Sequence, residues 1–440
     1  MVTAEVEVFL RASERLFVIA MLLDSTGIVV AITNPPHSGP RVVSTDLHLT
    51  SVTIDATVNL CGAILVLMRW RRVLQAARKA WPLIVLIALA PLSTAWSVDP
   101  ILTLRRSALL VISTVLAIYL GERYSIDKLA RMLATALCLM MILSLAARIF
   151  APSYVIDEWG AWRGLSGYKN AFGEYMAVSV ILLLLVRFHQ FRWLRYVFLF
   201  TAATLLVLSH SATALLSCVL VVAAMPLWRL AHLKDRLMAY PMLTVVLVTV
   251  IYLVKTNAAF LFELLGRDAT LTGRTHLWSL VYTAIAKHPI LGYGYGAFWG
   301  ALKGEALDLW GRNGWLAPVA DNGYLDLCLG LGLLGACLFA CFLLRYFFVG
   351  INYMKVEPEP VGLWPVSFLC FFALHNLGES TLLTTGTFPT LVLAVTVTSL
   401  AVSHRSATTA AHSTESGPLA REWTLHARYA QGQLPSGEWS

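Results

Sequence analysis

Asn322-Gly-Tyr-Leu-Asp326-Leu-Cys-Leu-Gly330-Leu-Gly332-Leu-Leu-Gly335-Ala-Cys-Leu-Phe-Ala-Cys-Phe-Leu-Leu344 decides the fold. The stretch carries one formal charge, Asp326. As a helix rising ~1.5 Å per residue, such a run reaches across the ~30 Å hydrocarbon layer of a bilayer. The preceding Asp321 and Asn322 are residue types that suit a helix N-cap. Asp326 sits about one turn inside, where an ionisable side chain is costly and usually has a partner or a task. Small residues at 332 and 335 leave room for a second helix to pack closely.

Similar apolar runs recur on both sides of this one. With 58% hydrophobic and 13% charged residues and a mean hydropathy of +0.71, the chain is too apolar for a soluble domain. The expected spans are 15–33, 49–68, 82–96, 103–121, 130–150, 171–187, 194–209, 211–228, 239–256, 322–344, 361–377 and 385–403. The first follows a mixed start (Glu5, Glu7, Arg11, Glu14, Arg15) without a small-residue cleavage site, so it reads as a span rather than a signal peptide. The fold class is therefore all-α: a polytopic integral membrane protein of about 12 transmembrane helices.

Basic residues orient it. The segment 69–80 holds Arg69, Arg71, Arg72, Arg78 and Lys79, which places it in the cytoplasm. Counting spans from there puts 122–129, 188–193, 229–238 and 345–360 on the same side, and each contains or adjoins Lys or Arg. The segments 34–48, 97–102, 151–170, 257–321 and 378–384 fall outside. Residues 1–403 thus form one membrane domain, with 257–321 a long outer loop too rich in Trp, Tyr and Gly for a linker. The polar Ser/Thr/Ala/Gly-rich stretch 404–440 reads as a disordered cytoplasmic tail. Net charge is +8; basic inner loops on an anionic bilayer account for it, and no nucleic-acid partner is expected. The seven cysteines lie in or beside apolar runs without CxxC spacing, which argues against a disulfide framework or zinc site.

Four outer segments carry chemistry-bearing residues. Trp159-Gly-Ala-Trp-Arg163-Gly-Leu-Ser-Gly-Tyr-Lys169-Asn170 runs into a span. With Asn170 capping that helix, Arg163 and Lys169 would stand beside its positive end, a seat for phosphate. The same residues also fit cations snorkelling to headgroups within an aromatic belt. Arg274-Thr-His276 opens a run with apolar residues at helical spacing, read as an amphipathic helix along the membrane surface and stopped by Pro289. His276 and His288 also read as interfacial helix residues. The glycines 292, 294 and 296 lack nucleotide-loop context and suit close backbone approach. His375-Asn-Leu-Gly-Glu379 spaces a His and a Glu to share a helix face, with no further ligand for a metal. Asp99-Pro100 reads as a helix start.

In these segments the chain resembles the O-antigen ligase and polysaccharide polymerase superfamily, with the nearest likeness to exopolysaccharide polymerases. The resemblance covers roughly residues 80–400. It rests on Trp96-Ser-Val-Asp-Pro100 with Thr103-Leu-Arg-Arg106, Gly164-Leu-Ser-Gly-Tyr-Lys-Asn170, Leu208-Ser-His-Ser-Ala-Thr213, Gly273-Arg274-Thr with Trp278, His288-Pro-Ile-Leu-Gly-Tyr-Gly294, Asn322-Gly-Tyr-Leu-Asp326 with Gly332-x-x-Gly335, and Asn376-x-x-Glu379. It implies a GT-C-like bacterial inner-membrane enzyme whose active site faces the periplasm and which needs neither cofactor nor metal. The implied reaction is inverting transfer of a glycan from undecaprenyl pyrophosphate to a sugar hydroxyl. Implied partners are the lipid-linked donor and acceptor, the bilayer, a flippase and a chain-length regulator.

On this likeness Arg163 and Arg274 hold the pyrophosphate, and Lys169, Asn170, Asn322, Asp326, His276, His375 and Glu379 line the substrate site. The family's ligases place His before Asn nine residues ahead of Gly-x-x-Gly; here Asp321 stands in its place. A free Asp, with a pKa near ~3.9, is a weaker base at neutral pH than a His near ~6.5, although burial raises a carboxyl. Asp321 is still the expected base that activates the acceptor, with His276 or His375 as alternatives. A ligase acting on lipid A core or protein is the runner-up function. A lipid-linked glycan transporter and a non-catalytic scaffold are the readings of another class; against the transporter, the sequence shows no internal symmetry of paired halves, and its notable charges gather outside rather than at mid-membrane.

Overall fold

The computed structural model describes residues 2–33, 49–188, 192–230, 274–301, 304–357 and 360–415. The expected span 239–256 and the first part of the outer loop lie outside the described residues. Regular structure among the described residues is helical, apart from one isolated bridge between Ile156 and Trp162. The helices begin with α1 (Val2–Asp24), α2 (Ile28–Thr33), α3 (Leu49–Met68), α4 (Trp70–Lys79), α5 (Trp81–Leu92), α6 (Pro100–Arg123), α7 (Ile126–Phe150) and α8 (Pro152–Val155). They continue with α9 (Lys169–Leu185), α10 (Arg192–Leu208) and α11 (Ala212–Leu230). The last group is α12 (Arg274–Lys287), α13 (Ala297–Gly300), α14 (Glu305–Asn313), α15 (Gly323–Val356), α16 (Trp364–His375) and α17 (Phe388–Glu415).

At the centre stands α9, which is apolar on nearly every face and buried over most of its length. Helices α7, α10, α11 and α16 pack around it, and α6 runs along α17. Three described helices are long and apolar enough to cross a membrane: Pro100–Arg123, Ile126–Phe150 and Gly323–Lys355. A fourth is reached if α3 and α4, bent by 89° at their junction, count as one span. Among the described residues, the expected spans other than 239–256 are not matched one for one by such helices, and the departures have local causes.

Helix α1 ends within the expected first span because Ser25 and Thr26 hydroxyls bond back to Leu22 O and Leu23 O at 2.7 and 2.6 Å, and Gly27 turns left-handed with φ +79°. The basic segment 69–80 is a helix rather than a loop, with Val73 and Ala76 buried on one side. Helix α5 is short, contains Pro91 and closes in a 3₁₀ turn over Ser93–Trp96. Asp99 caps α6 as expected, accepting from Leu102 N at 3.1 Å. At the other end of the chain, α17 carries the last expected span on to Glu415, so the expected tail starts in helix.

The largest departure lies in 322–344. Helix α15 is broken at Gly332, which adopts φ +64° and ψ −168°. The turn after α12 is wedged into the break: Leu333 N donates to Pro289 O at 2.8 Å, Leu334 N to Ile290 O at 3.2 Å and Tyr293 N to Leu329 O at 2.7 Å. Backbone groups freed by the break are thus satisfied by another backbone, which is how irregular chain survives at such depth. Gly332 therefore admits a loop rather than the helix that small residues there suggested. Gly292, Gly294 and Gly296 all have positive φ and press against α15, Ser97 and Arg106, the close approach expected of them. The Trp96-to-Arg106 motif grips this turn through Trp96 Nε1 to Leu291 O at 2.9 Å and Arg106 Nη1 to Gly296 O.

Helix α12 does not lay its apolar face on lipid. Leu277, Val281 and Ala284 are buried in a small second core with Tyr293, Phe298, Leu309, Trp310, Leu325 and Leu329. The described part of the long loop is a packed subdomain on the end of the bundle.

Candidate active site

The N-terminal residue of α12, Arg274, is where the outer segments meet. Its Nη1 donates to Gly378 O at 2.6 Å, its Nη2 faces Glu379 Oε1 at 3.3 Å, and its Nε faces Asp321 Oδ2 at 3.2 Å. The side chain is only 12% exposed, against 25% for Asp321 and 11% for Glu379. Asn170 joins from α9, with Nδ2 donating to Glu379 Oε1 at 2.7 Å. Two segments distant in sequence thus meet this guanidinium directly, and a third joins through Glu379. Arginine suits the position because its fixed fork of donors stays charged when partly buried.

Local structure aims each group. Asp321 has φ +51°, a left-handed conformation that Asp tolerates better than most residues, and this puts Asn322 at the cap of α15. Asn322 Oδ1 accepts from Tyr324 N and Leu325 N at 3.1 and 3.2 Å, while its Nδ2 donates to Leu377 O at 3.1 Å. The turn after α16 is held by Asn376, whose Oδ1 accepts from Thr381 N at 3.0 Å and whose carbonyl accepts from Gly323 N at 2.9 Å. The Leu208-to-Thr213 motif closes the same corner: Gly173 sits against Ser209 and Ser211, and Gly378 against Thr213, with no room for a Cβ at either glycine.

Beneath the turn lies a buried pair that sequence reasoning did not assemble. Glu174, one helical turn after Asn170, faces His375 Nε2 at 3.6 Å, and both side chains are almost wholly enclosed. Thr381 Oγ1 donates to Glu174 Oε1 at 3.3 Å, linking the pair to the turn that carries Glu379. His375 stacks on Phe371. The signal for Glu174 was available: a carboxylate inside an apolar run of helical length. Burial pushes the Glu379 carboxyl up to about 7; Arg274 opposes this, Asp321 adds to it and the Asn170 bond opposes it.

Several expectations are corrected. Asn170 does not cap α9; it is the second residue of that helix, after Tyr168 at the cap, and its amide is spent on Glu379. His375 does not pair with Glu379, because α16 ends at His375 and the chain turns, leaving Glu174 as its neighbour. His276 is exposed on α12 and meets Arg312 O at 3.4 Å, so it is not among the Arg274 partners. Asp326 faces Trp299 Nε1 at 2.6 Å and Ala320 N at 3.1 Å, bonds that tie α15 to the subdomain.

Arg163 belongs to the neighbouring 151–169 segment. Its Nη2 donates to Ser153 O at 2.6 Å and its Nε to Tyr154 O at 3.3 Å, and burial lowers its pKa against the pull of Asp157 and Glu158. Lys169 reaches Asp157 at 4.0 Å. The structure therefore brings Arg274, Asp321, Asn322, Asn170 and Glu379 together and gives Arg163 and Lys169 partners of their own. No group of three or more His, Cys, Asp and Glu among the described residues is placed to hold a metal ion.

Comparison with known proteins agrees with the resemblance carried by the motifs. The family model described as O-antigen ligase matches residues 196–340, which include Arg274, Asp321, Asn322 and the break at Gly332. The chain is also similar to the exopolysaccharide production protein ExoQ of Rhizobium meliloti (strain 1021), 26% identical over 329 residues, 70% of this chain and 74% of that protein. The likeness to the O-antigen ligase and polysaccharide polymerase superfamily stands on both.

Proposed function

We propose that this membrane protein is a glycosyltransferase that joins undecaprenyl-pyrophosphate-linked oligosaccharide repeats into exopolysaccharide at the periplasmic face of the inner membrane. The observation that carries this reading is the convergence on Arg274 of Asp321, Glu379 and Gly378 O, with Asn170 joined through Glu379. An enclosed guanidinium edged by carboxylates and a carbonyl suits a reaction in which a diphosphate departs and a hydroxyl attacks. Arg274 would take the diphosphate, and charge growing on the leaving group is worth ~3–4 kcal/mol by analogy with oxyanion donors. Arg163 and Lys169, on the adjacent segment, would supply further positive charge along the lipid-linked donor. Pyrophosphate leaves readily, so no dedicated general acid is required, and inversion follows from direct attack at the anomeric carbon.

Asp321 takes the acceptor hydroxyl proton in this scheme, standing where the family's ligases have His. The polymerase reading is favoured by similarity to an exopolysaccharide production protein, while the match to the O-antigen ligase model favours transfer to lipid A core or protein as the second reading. Purified protein incubated with lipid-linked repeats should yield longer lipid-linked chains. Arg274→Ala and Arg163→Ala should abolish elongation by at least about 100-fold, the scale of a lost oxyanion donor, in protein that remains folded. Asp321→His should retain activity that Asp321→Ala loses. Elongation by Arg274→Ala would remove the diphosphate role, and movement of lipid-linked glycan without bond formation would favour a transporter.

A further inference from the structure

Arg274 answers two carboxylates with one positive charge. With Asp321 and Glu379 both ionised the trio is net anionic, and Asp321 raises the Glu379 carboxyl further. A diphosphate diester brings two more negative charges. Like charges brought together in such partly enclosed surroundings repel far more than in water, so seating the diester beside two carboxylates is opposed. A single added proton relieves most of that repulsion.

The arrangement says where the proton goes. Glu379 is the less exposed of the two carboxylates, 11% against 25%. It is held by Asn170 Nδ2, and Asn170 Oδ1 is buried with no hydrogen-bond partner among the described residues. The charged and titratable groups around it are Arg274 on α12, Asp321 before α15, and Glu174 on α9 with its neighbour His375 on α16. Lys169 on α9 is turned toward Asp157. The geometry points to a proton-coupled site: binding of a diphosphate diester at Arg274 takes up one proton from solvent at Glu379, and the resulting carboxylic acid donates a hydrogen bond to a phosphate oxygen. This rests on the reading of Arg274 as the diphosphate ligand. A carboxyl poised at about 7 takes up that proton at little cost under neutral conditions.

The test uses full-length protein in detergent and a farnesyl-diphosphate-linked monosaccharide, a diester whose phosphates do not titrate from about pH 5 to about pH 9. Wild-type affinity should be level below about pH 7 and fall about tenfold per pH unit above it. Glu379→Gln should bind with no such slope and exceed the wild type at about pH 8.5. Calorimetry of the wild type in buffers of different ionisation enthalpy should show about one proton absorbed per diester bound at about pH 8, a readout that needs no variant. A wild type that binds without proton uptake, a slope unchanged in Glu379→Gln, or a slope lost in Asp321→Asn instead would overturn the assignment to Glu379. Equal binding by wild type and Arg274→Ala would instead remove the diphosphate reading beneath it.

Discussion

At the scale of single residues, the candidate site spends its polar groups on one another. Asp321, Glu379 and Asn170 each have a partner within the cluster, and Arg274 binds them together. Such pairing makes the site rigid, and it stores a pH dependence. Glu379, with an ordinary value of 4.5 and a folded value of about 7, keeps its proton in the folded protein over a range where the unfolded chain has released it. Its contribution to stability is therefore full below the ordinary value and is lost as pH rises through about 7. The melting midpoint of detergent-solubilised protein should fall across that window, by on the order of 2–3 kcal/mol in stability terms, and Glu379→Gln should flatten the curve. A wild-type midpoint that rose over the same window would show the Arg274 pair outweighing burial.

At the scale of elements, α15 shows how a helix that looks continuous by composition is interrupted on purpose. A Cβ at Gly332 would lie 2.1 Å from Ile290 O, and the φ of +64° is one that side-chain-bearing residues rarely adopt. Gly332→Ala should therefore cost at least about 1–3 kcal/mol and loosen the 289–292 turn. Gly311, inside α14 with open space where a Cβ would stand, is the control. Gly311→Ala should be neutral or stabilise by about 0.5–1 kcal/mol. Thermal shift of the two variants, with protease cleavage in the 289–304 region as a second readout, separates them. Equal midpoints for both would mean that the wedge contributes nothing to stability.

At the scale of the whole molecule, the described parts of the segments expected on the outer side meet at one end of the bundle. Val98 N bonds Tyr293 O at 3.0 Å, Trp162 N bonds Leu208 O at 2.9 Å, and Asn170 reaches Glu379. The proposed orientation has that end outside and the α4 surface inside, as the charge bias predicts. Trp315, half exposed on the subdomain formed by α12–α14, and Arg72 on α4 offer the contrast. In intact cells Trp315→Cys should react with a membrane-impermeant maleimide, and Arg72→Cys should react only after permeabilisation. The reverse pattern would place the candidate site on the cytoplasmic side. The native cysteines complicate this little, since Cys61, Cys138, Cys218, Cys328 and Cys370 are not exposed and Cys337 and Cys341 lie within α15.

Read alone, the chain established its helical, membrane-borne class, because crossing hydrocarbon demands long apolar runs that any sequence must display. The family-like motifs also marked Arg274, Asp321, Asn170 and Glu379, together with Arg163, which the structure leaves on a neighbouring segment. Folding decided what no local pattern carries. Asn170 is a partner of Glu379 rather than a cap, His375 faces Glu174 rather than Glu379, and Gly332 breaks a helix to receive a loop from forty residues earlier. Each of these depends on which distant segment arrives at the same place, and hydrogen bonds and close packing reward that meeting only after the chain has come together.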